Sequence, residues 1–212
     1  SLPVLAQTGE PLPSWNDGPA KKNIIEFVQT VTDQGSKDFV KPADRIAVFD
    51  NDGTLWSEQP AYFELLFAFD EVKRTAPQHP EWKTTQPFKA VLENDHKALG
   101  ESGMEGLLKI VGATHTGMTT EAFDDYAKTW FARARHPKTG KPYTEMIYQP
   151  MLEMLDYLRS QDFKTYIVSG GDTAFMRAFA EQVYGIPPEQ VIGTTFITAY
   201  QLKDGQPSIV RT

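Results

Sequence analysis

Apolar positions along the chain follow two periods. After Pro19, the residues Ile24, Ile25, Phe27, Val28 and Val31 fall at helical spacing, and Gly35 follows, which predicts an opening helix. The stretch "RIAVFD" at 45–50 is a short continuous apolar run rich in strand formers, read as a buried strand. Residues 57–148 then read as mostly helical. "PAYFELLFAFDEVKRTA" has a broad apolar face, "PFKAVLENDHKALG" and "GMEGLLKIVG" are shorter, and "TTEAFDDYAKTWFARARH" opens on a threonine–glutamate start. Pro150 begins the amphipathic "PMLEMLDYLRSQ". "FKTYIVSGG" predicts a second buried strand ending in small residues, and "DTAFMRAFAEQVYG" predicts one helix closed by Gly185. "QVIGTTFITAYQLKDGQPSIV" reads as two strands joined by Asp204-Gly205, a two-residue hairpin signal.

Outside the helical insertion, strands and helices alternate. That predicts an α/β fold with a doubly wound, Rossmann-like parallel sheet and an inserted helical cap. The boundaries that follow are an N-terminal arm at 1–18, a core built from 19–56 and 149–212, and a cap at 57–148. Ligands of such sheets collect at the carboxyl ends of the strands. Asp50 and Ser169 both fall at strand ends, hence on one edge. The insertion leaves from that edge and is expected to cover it, with hinges near Trp56 and Gln149.

Composition narrows the function. The chain of 212 residues is 40% apolar and 12% aromatic, enough for a sizeable core, and it lacks an apolar run of bilayer-spanning length. It therefore reads as soluble, with no membrane partner. A net charge of −7 argues against nucleic acid as the main partner. The absence of cysteine removes disulfides, thiolate metal sites and cysteine nucleophiles, and it fits an oxidising compartment. The Pro- and Gly-rich opening fits the mature end left by signal-peptide removal. A periplasmic or secreted protein is the expectation, with the cytoplasm as the alternative.

The chemistry concentrates in "FDNDGTLW", where an apolar strand places two carboxylates, Asp50 and Asp52, two residues apart. Carboxylates repel each other and are costly to bury unpaired, so a strand end that gathers them calls for a cation. This stretch resembles the first signature of the haloacid-dehalogenase-type hydrolase superfamily, and "YIVSGG" resembles its second. Motif order, the helical insertion and the SGG triplet most resemble the phosphoserine-phosphatase-like branch. The resemblance implies a Mg²⁺-dependent phosphatase acting on a small phosphomonoester. It assigns Asp50 as the nucleophile that forms an aspartyl-phosphate, and Asp52 as acid and then base. It further implies that the Asp50 side chain and the Asp52 carbonyl ligate Mg²⁺. The Ser169 hydroxyl and the Gly170 amide, at a helix start, would bind phosphate oxygens.

The sequence departs from that branch in two places. The glutamate that grips the substrate amine, nine residues after the nucleophile, is replaced here by Gln59, with Glu58 one place early. The third-motif lysine and the acidic fourth motif normally lie past the hairpin, so Lys203 is not assigned. The polypeptide is expected to continue past Thr212 with a further strand ending in acidic residues, and the 212-residue form is expected to bind Mg²⁺ weakly. Two other readings stay open: a phosphotransferase of the same fold, and a non-catalytic domain that binds phosphorylated ligands or a partner. The bland readings are a polar Asx turn for residues 50–54, a strand-to-helix turn for residues 169–171, and a helix cap for Asp172. His79, His96, His115 and His136 have no i, i+4 pairing and read as surface or capping residues. Arg133, Arg135, Lys138 and Lys141 read as a solvated helix end or as an anion-facing cluster.

Overall fold

The computed structural model describes residues 9–203 and 205–212, and the chain forms two compact units. One comprises the described part of Ser1–Ser57 with Thr144–Gly170 and Phe179–Gly193. The other comprises Glu58–Tyr143, Gly171–Ala178 and Thr194–Thr212. The architecture is α/β with a three-stranded, Rossmann-like parallel sheet.

The first unit holds that sheet, in the order β1-β2-β3. Its strands are β1 (Ile46–Phe49), β2 (Lys164–Asp172, whose last two residues fall in the second unit) and β3 (Val191–Thr194, whose last residue does so too). β1 and β2 are parallel, with Ile46 opposite Lys164 and Phe49 opposite Ile167. Helices α1 (Pro19–Thr32) and α6 (Gln149–Ser160) both carry a proline in the first turn, where its fixed φ suits the helix. Val28 of α1 and Met154, Tyr157 and Leu158 of α6 are buried together, with Ala47 and Phe49 of the sheet packed against them. Leu12 joins this cluster, and the Trp15 indole N–H donates to the Pro150 carbonyl at 2.9 Å, so the chain before α1 is part of the core.

The sequence pattern called for a strand buried on both faces, but Ile46 and Val48 are 56% and 58% exposed. Side chains alternate across a strand, and the packed cluster takes only Ala47 and Phe49. The expected helix at 172–185 is also broken. It forms α7 (Thr173–Arg177) and α8 (Ala180–Tyr184), with a turn at Ala178 and Phe179. Gly185 closes α8 at φ +68°, as its position suggested.

The second unit is mainly helical: α2 (Phe63–Thr75), α3 (Phe88–Glu93), α4 (His96–His115) and α5 (Thr120–Arg133). Asp95 and Thr119 cap α4 and α5 by accepting amide protons two or three residues on. Ala68, Val72, Trp82, Val91 and Ile110 form one buried cluster. A second apolar region joins Phe67, Phe123, Trp130, Phe131 and Phe175 through edge-on and tilted rings. The strands β4 (Thr198–Lys203) and β5 (Gln206–Arg211) form the expected hairpin, with Lys203 opposite Gln206. Gly205 sits at φ +78°, whereas Asp204 lies outside the described residues. The segment before the hairpin, read as one strand, breaks after Thr194, leaving β3 in the parallel sheet and β4 in the hairpin. Among the described residues no helix is long and apolar enough to cross a membrane.

Candidate active site

β1 ends at Phe49, and Asp50 is the next residue, with an exposed side chain. Its Oδ1 accepts the Asn51 amide at 2.7 Å. From there the chain winds into a tight turn. The Asn51 carbonyl accepts the amides of Thr54 (3.1 Å), Leu55 (2.9 Å) and Trp56 (3.4 Å), and the Gly53 amide donates to the Trp56 carbonyl at 2.9 Å. Gly53 has φ +72°, a region that a residue with a Cβ enters only at a cost, which accounts for glycine there.

Three side chains fix the turn from within the unit. Asn51 is buried, and its Oδ1 accepts the Tyr184 hydroxyl proton at 3.1 Å. Trp56 is fully buried and stacks on Phe179 at 4.3 Å. Its indole N–H donates to Asp52 Oδ1 at 2.8 Å, which holds a half-buried carboxylate in one orientation. Burial pushes the Tyr184 hydroxyl well above the ordinary tyrosine range, and the Asp52 charge adds to that shift. The tyrosine therefore stays a donor to Asn51. Leu55 and Tyr148 are joined by a backbone bond of 2.9 Å, and Ser57 and Met146 by one of 2.8 Å, so the two segments on either side of the helical insertion are tied together.

Register brings the second predicted stretch to the same place. Phe49 is paired with Ile167, so Asp50 and Ser169 lie one and two residues beyond a paired position on neighbouring parallel strands. Ser169 is half-buried and Gly170 exposed, and a Cβ built on Gly170 would meet nothing within 4 Å. Gly170 is not at a helix start, however. The chain stays extended through Asp172, and α7 begins only at Thr173, because Asp172 is the cap. Its Oδ1 accepts the Ala174 amide at 2.9 Å. A phosphate at Gly170 would meet strand backbone rather than the end of a helix dipole.

A further constellation lies in the second unit and was not visible in the sequence. Glu64 of α2, His115 at the end of α4 and Asp172 bring one ligand-type atom each within 4.8 Å of one another. Arg211 of β5 forms a buried ion pair with Asp172, donates to the His115 carbonyl at 2.7 Å, and lies over the rings of Phe123 and Phe196. Burial raises the Asp172 carboxyl above its ordinary range. Arg211 and the Ala174 amide oppose that shift, and the nearby Glu64 charge adds to it. His115 and His136 are buried rather than on the surface, and His136 binds the Gln59 carbonyl at 2.7 Å. No spacing rule links residues 64, 115, 172 and 211, so only the tertiary fold reveals the group. Arg133, Arg135, Lys138 and Lys141 are all exposed, in line with a solvated helix end, and Trp56 belongs to the core.

No curated protein sequence matches the chain. Among solved structures it is similar to a phosphoserine phosphohydrolase-like protein from Francisella tularensis subsp. tularensis SCHU S4, with 17% identity and a TM-score of 0.39, over 77% of this chain and 62% of that one. It is also similar to a conserved functionally unknown protein from Anaerococcus prevotii DSM 20548, with 16% identity and a TM-score of 0.36, over 95% of this chain and 66% of that one. The chain thus spans less than two thirds of the length of either. The sequence profile described as haloacid dehalogenase-like hydrolase matches residues 47–210, from β1 to β5. A match over that much of the sequence means that the chain belongs to the haloacid dehalogenase-like hydrolase family.

Proposed function

We propose that the protein is a Mg²⁺-dependent phosphatase that hydrolyses a small phosphomonoester through an aspartyl-phosphate on Asp50. The observation that carries this reading is the register of β1 and β2, which brings Asp50 and Ser169 to the carboxyl ends of adjacent parallel strands. Asp50 is exposed there, and a nucleophile needs that access.

The donors offered to a cation at this turn are the Asp50 carboxylate and the Asp52 backbone carbonyl. Both are hard oxygens of the kind Mg²⁺ takes, so the residues fit the ion. Bound there, Mg²⁺ would offset the repulsion between the attacking carboxylate and the phosphate. Asp50 Oδ attacks phosphorus, the P–O bond to the alcohol breaks, and the phosphoryl group passes to Asp50. The Asp52 carboxyl donates its proton to the departing alkoxide. It then takes a proton from the water that cleaves the acyl-phosphate. The indole N–H of Trp56 holds Asp52 in one orientation for both transfers. The Ser169 hydroxyl and the Gly170 amide are the proposed donors to the non-bridging phosphate oxygens.

The test is a panel of phosphorylated metabolites and one aryl phosphate, on the longest natural form of the chain, with and without Mg²⁺. Hydrolysis that needs Mg²⁺ and disappears in Asp50→Asn is the expected result. Full activity of Asp50→Asn, with the substitution verified by mass, would contradict the assignment. Transfer of phosphate to an added alcohol in preference to water would make the protein a phosphotransferase.

A further inference from the structure

We infer that Glu64, His115 and Asp172 form a binding site for a zinc-class dication, made of none of the residues proposed for phosphoryl transfer. His115 is fully buried, and its Nε2 has no hydrogen-bond partner among the described residues. A buried imidazole nitrogen left unpaired is costly and calls for a partner. Its state follows from its neighbour. Thr114 Oγ1 donates to the Ile110 carbonyl at 2.9 Å and lies 2.7 Å from His115 Nδ1. With its one proton committed to that carbonyl, the hydroxyl accepts from Nδ1–H. That arrangement fits the Nδ1–H tautomer, in which Nε2 presents a lone pair. That is the state a metal-ligating histidine requires, with its other nitrogen held by a fixed acceptor.

Nε2 lies 3.5 Å from Glu64 Oε1. A charged imidazolium–carboxylate hydrogen bond would close to about 2.7–2.9 Å. The observed gap instead matches the edge of a tetrahedron around an ion with bonds of ~2.1 Å, which is about 3.4 Å. Asp172 supplies the third corner, within 4.8 Å of the other two donors. Each carboxylate is held by protein donors. The Asp172 amide donates to Glu64 Oε2 at 2.9 Å, and Ala174 and Arg211 donate to the Asp172 carboxylate. Two carboxylates against the single guanidinium of Arg211 leave one negative charge in excess, which a dication offsets. The rings of Phe67, Phe123 and Phe196 surround His115, while the Glu64 side chain, 21% exposed, gives access from solvent.

One imidazole and two carboxylates suit zinc rather than Mg²⁺, which prefers oxygen-only sets. Such an ion would join α2, the end of α4 and the start of α7, three elements far apart in sequence.

The experiment strips the full chain with chelator and titrates Zn²⁺ against a chromophoric competitor in excess Mg²⁺. It compares wild type with His115→Gln, Glu64→Gln and Asp50→Asn, and circular dichroism establishes that each is folded. The expected result is one zinc equivalent in wild type and Asp50→Asn, weakened by roughly 100-fold or more in the other two. Zinc binding unchanged in Glu64→Gln, lost in Asp50→Asn, or absent from wild type would overturn the site. Should His115→Gln fail to fold, the ¹⁵N resonance of His115 Nε2 in the wild type decides. It should be unprotonated without metal and should shift on adding Zn²⁺. A proton that stays on Nε2 after Zn²⁺ is added, whether in the Nε2–H tautomer or in an imidazolium, would overturn it.

Discussion

Replacing Trp56 by phenylalanine removes the indole N–H while a ring stays in place to stack on Phe179. The bond lost is the 2.8 Å donation from the indole N–H to Asp52 Oδ1. Hydrogen bonds to charged acceptors contribute ~1.5–3 kcal/mol, and Asp52 is half-exposed, so the lower end, about 1.5 kcal/mol, applies. Shrinking the ring leaves about 40 Å³ of void in a fully buried position, which at ~24 cal/mol per Å³ adds ~1 kcal/mol. Trp56→Phe should therefore destabilise the protein by about 2.5 kcal/mol in urea unfolding. The bond itself is isolated by a double-mutant cycle with Asp52→Ala, for which a coupling of about 1.5 kcal/mol is expected. If that energy orients the carboxylate for proton transfer, turnover in Trp56→Phe falls about tenfold. A coupling below about 0.5 kcal/mol, or a stability loss without any change in turnover, would refute this role for Trp56.

Asp52→Asn should slow phosphoenzyme formation much more with an alkyl phosphate than with an activated aryl phosphate, because a good leaving group departs without a proton; equal losses in pre-steady-state kinetics would argue against Asp52 as the acid. Asp172→Ala leaves the Arg211 guanidinium buried without its carboxylate and should cost ~3–5 kcal/mol in thermal or urea unfolding, and a loss under about 1 kcal/mol would contradict the buried pair. Burial and the Asp70 charge push the Tyr143 hydroxyl up to about 12, and burial raises Tyr157 and Tyr184 as well. The unfolded chain gives up these protons near pH ~10 while the folded chain retains them, so stability is intact below about pH 10 and declines from there towards pH ~12. The slope is at most ~1.4 kcal/mol per pH unit for each tyrosine, and urea midpoints that hold level from about pH 9 to 11.5 would contradict it.

Much of this structure is written locally. Pro19 and Pro150 mark helix starts, Thr119 caps α5, Gly185 closes α8 and Gly205 sits in the hairpin turn, each through a backbone rule that acts over a few residues. The turn at Asp50 is legible for the same reason, since Gly53 has to supply a positive φ. What stayed hidden depends on partners distant in the chain. The sequence run at 172–185 has helical spacing throughout, yet it breaks where Phe179 turns in to stack on Trp56. Ile46 and Val48 look like core residues, because an apolar run carries no mark of which face will be covered. Glu64, His115, Asp172 and Arg211 each have an ordinary local reading, and it is the meeting of α2, α4, β2 and β5 that makes them a group.

Covalent catalysis by Asp50 is tested most directly by acid-quenching the chain during turnover of a phosphomonoester in Mg²⁺ and locating the phosphoryl group by peptide mass spectrometry. The expected result is one phosphoryl group on the peptide that carries Asp50, formed faster than product release and absent in Asp50→Asn. Hydrolysis at full rate with Asp50 unmodified at every quench time, or with the phosphoryl group on another residue, would contradict it.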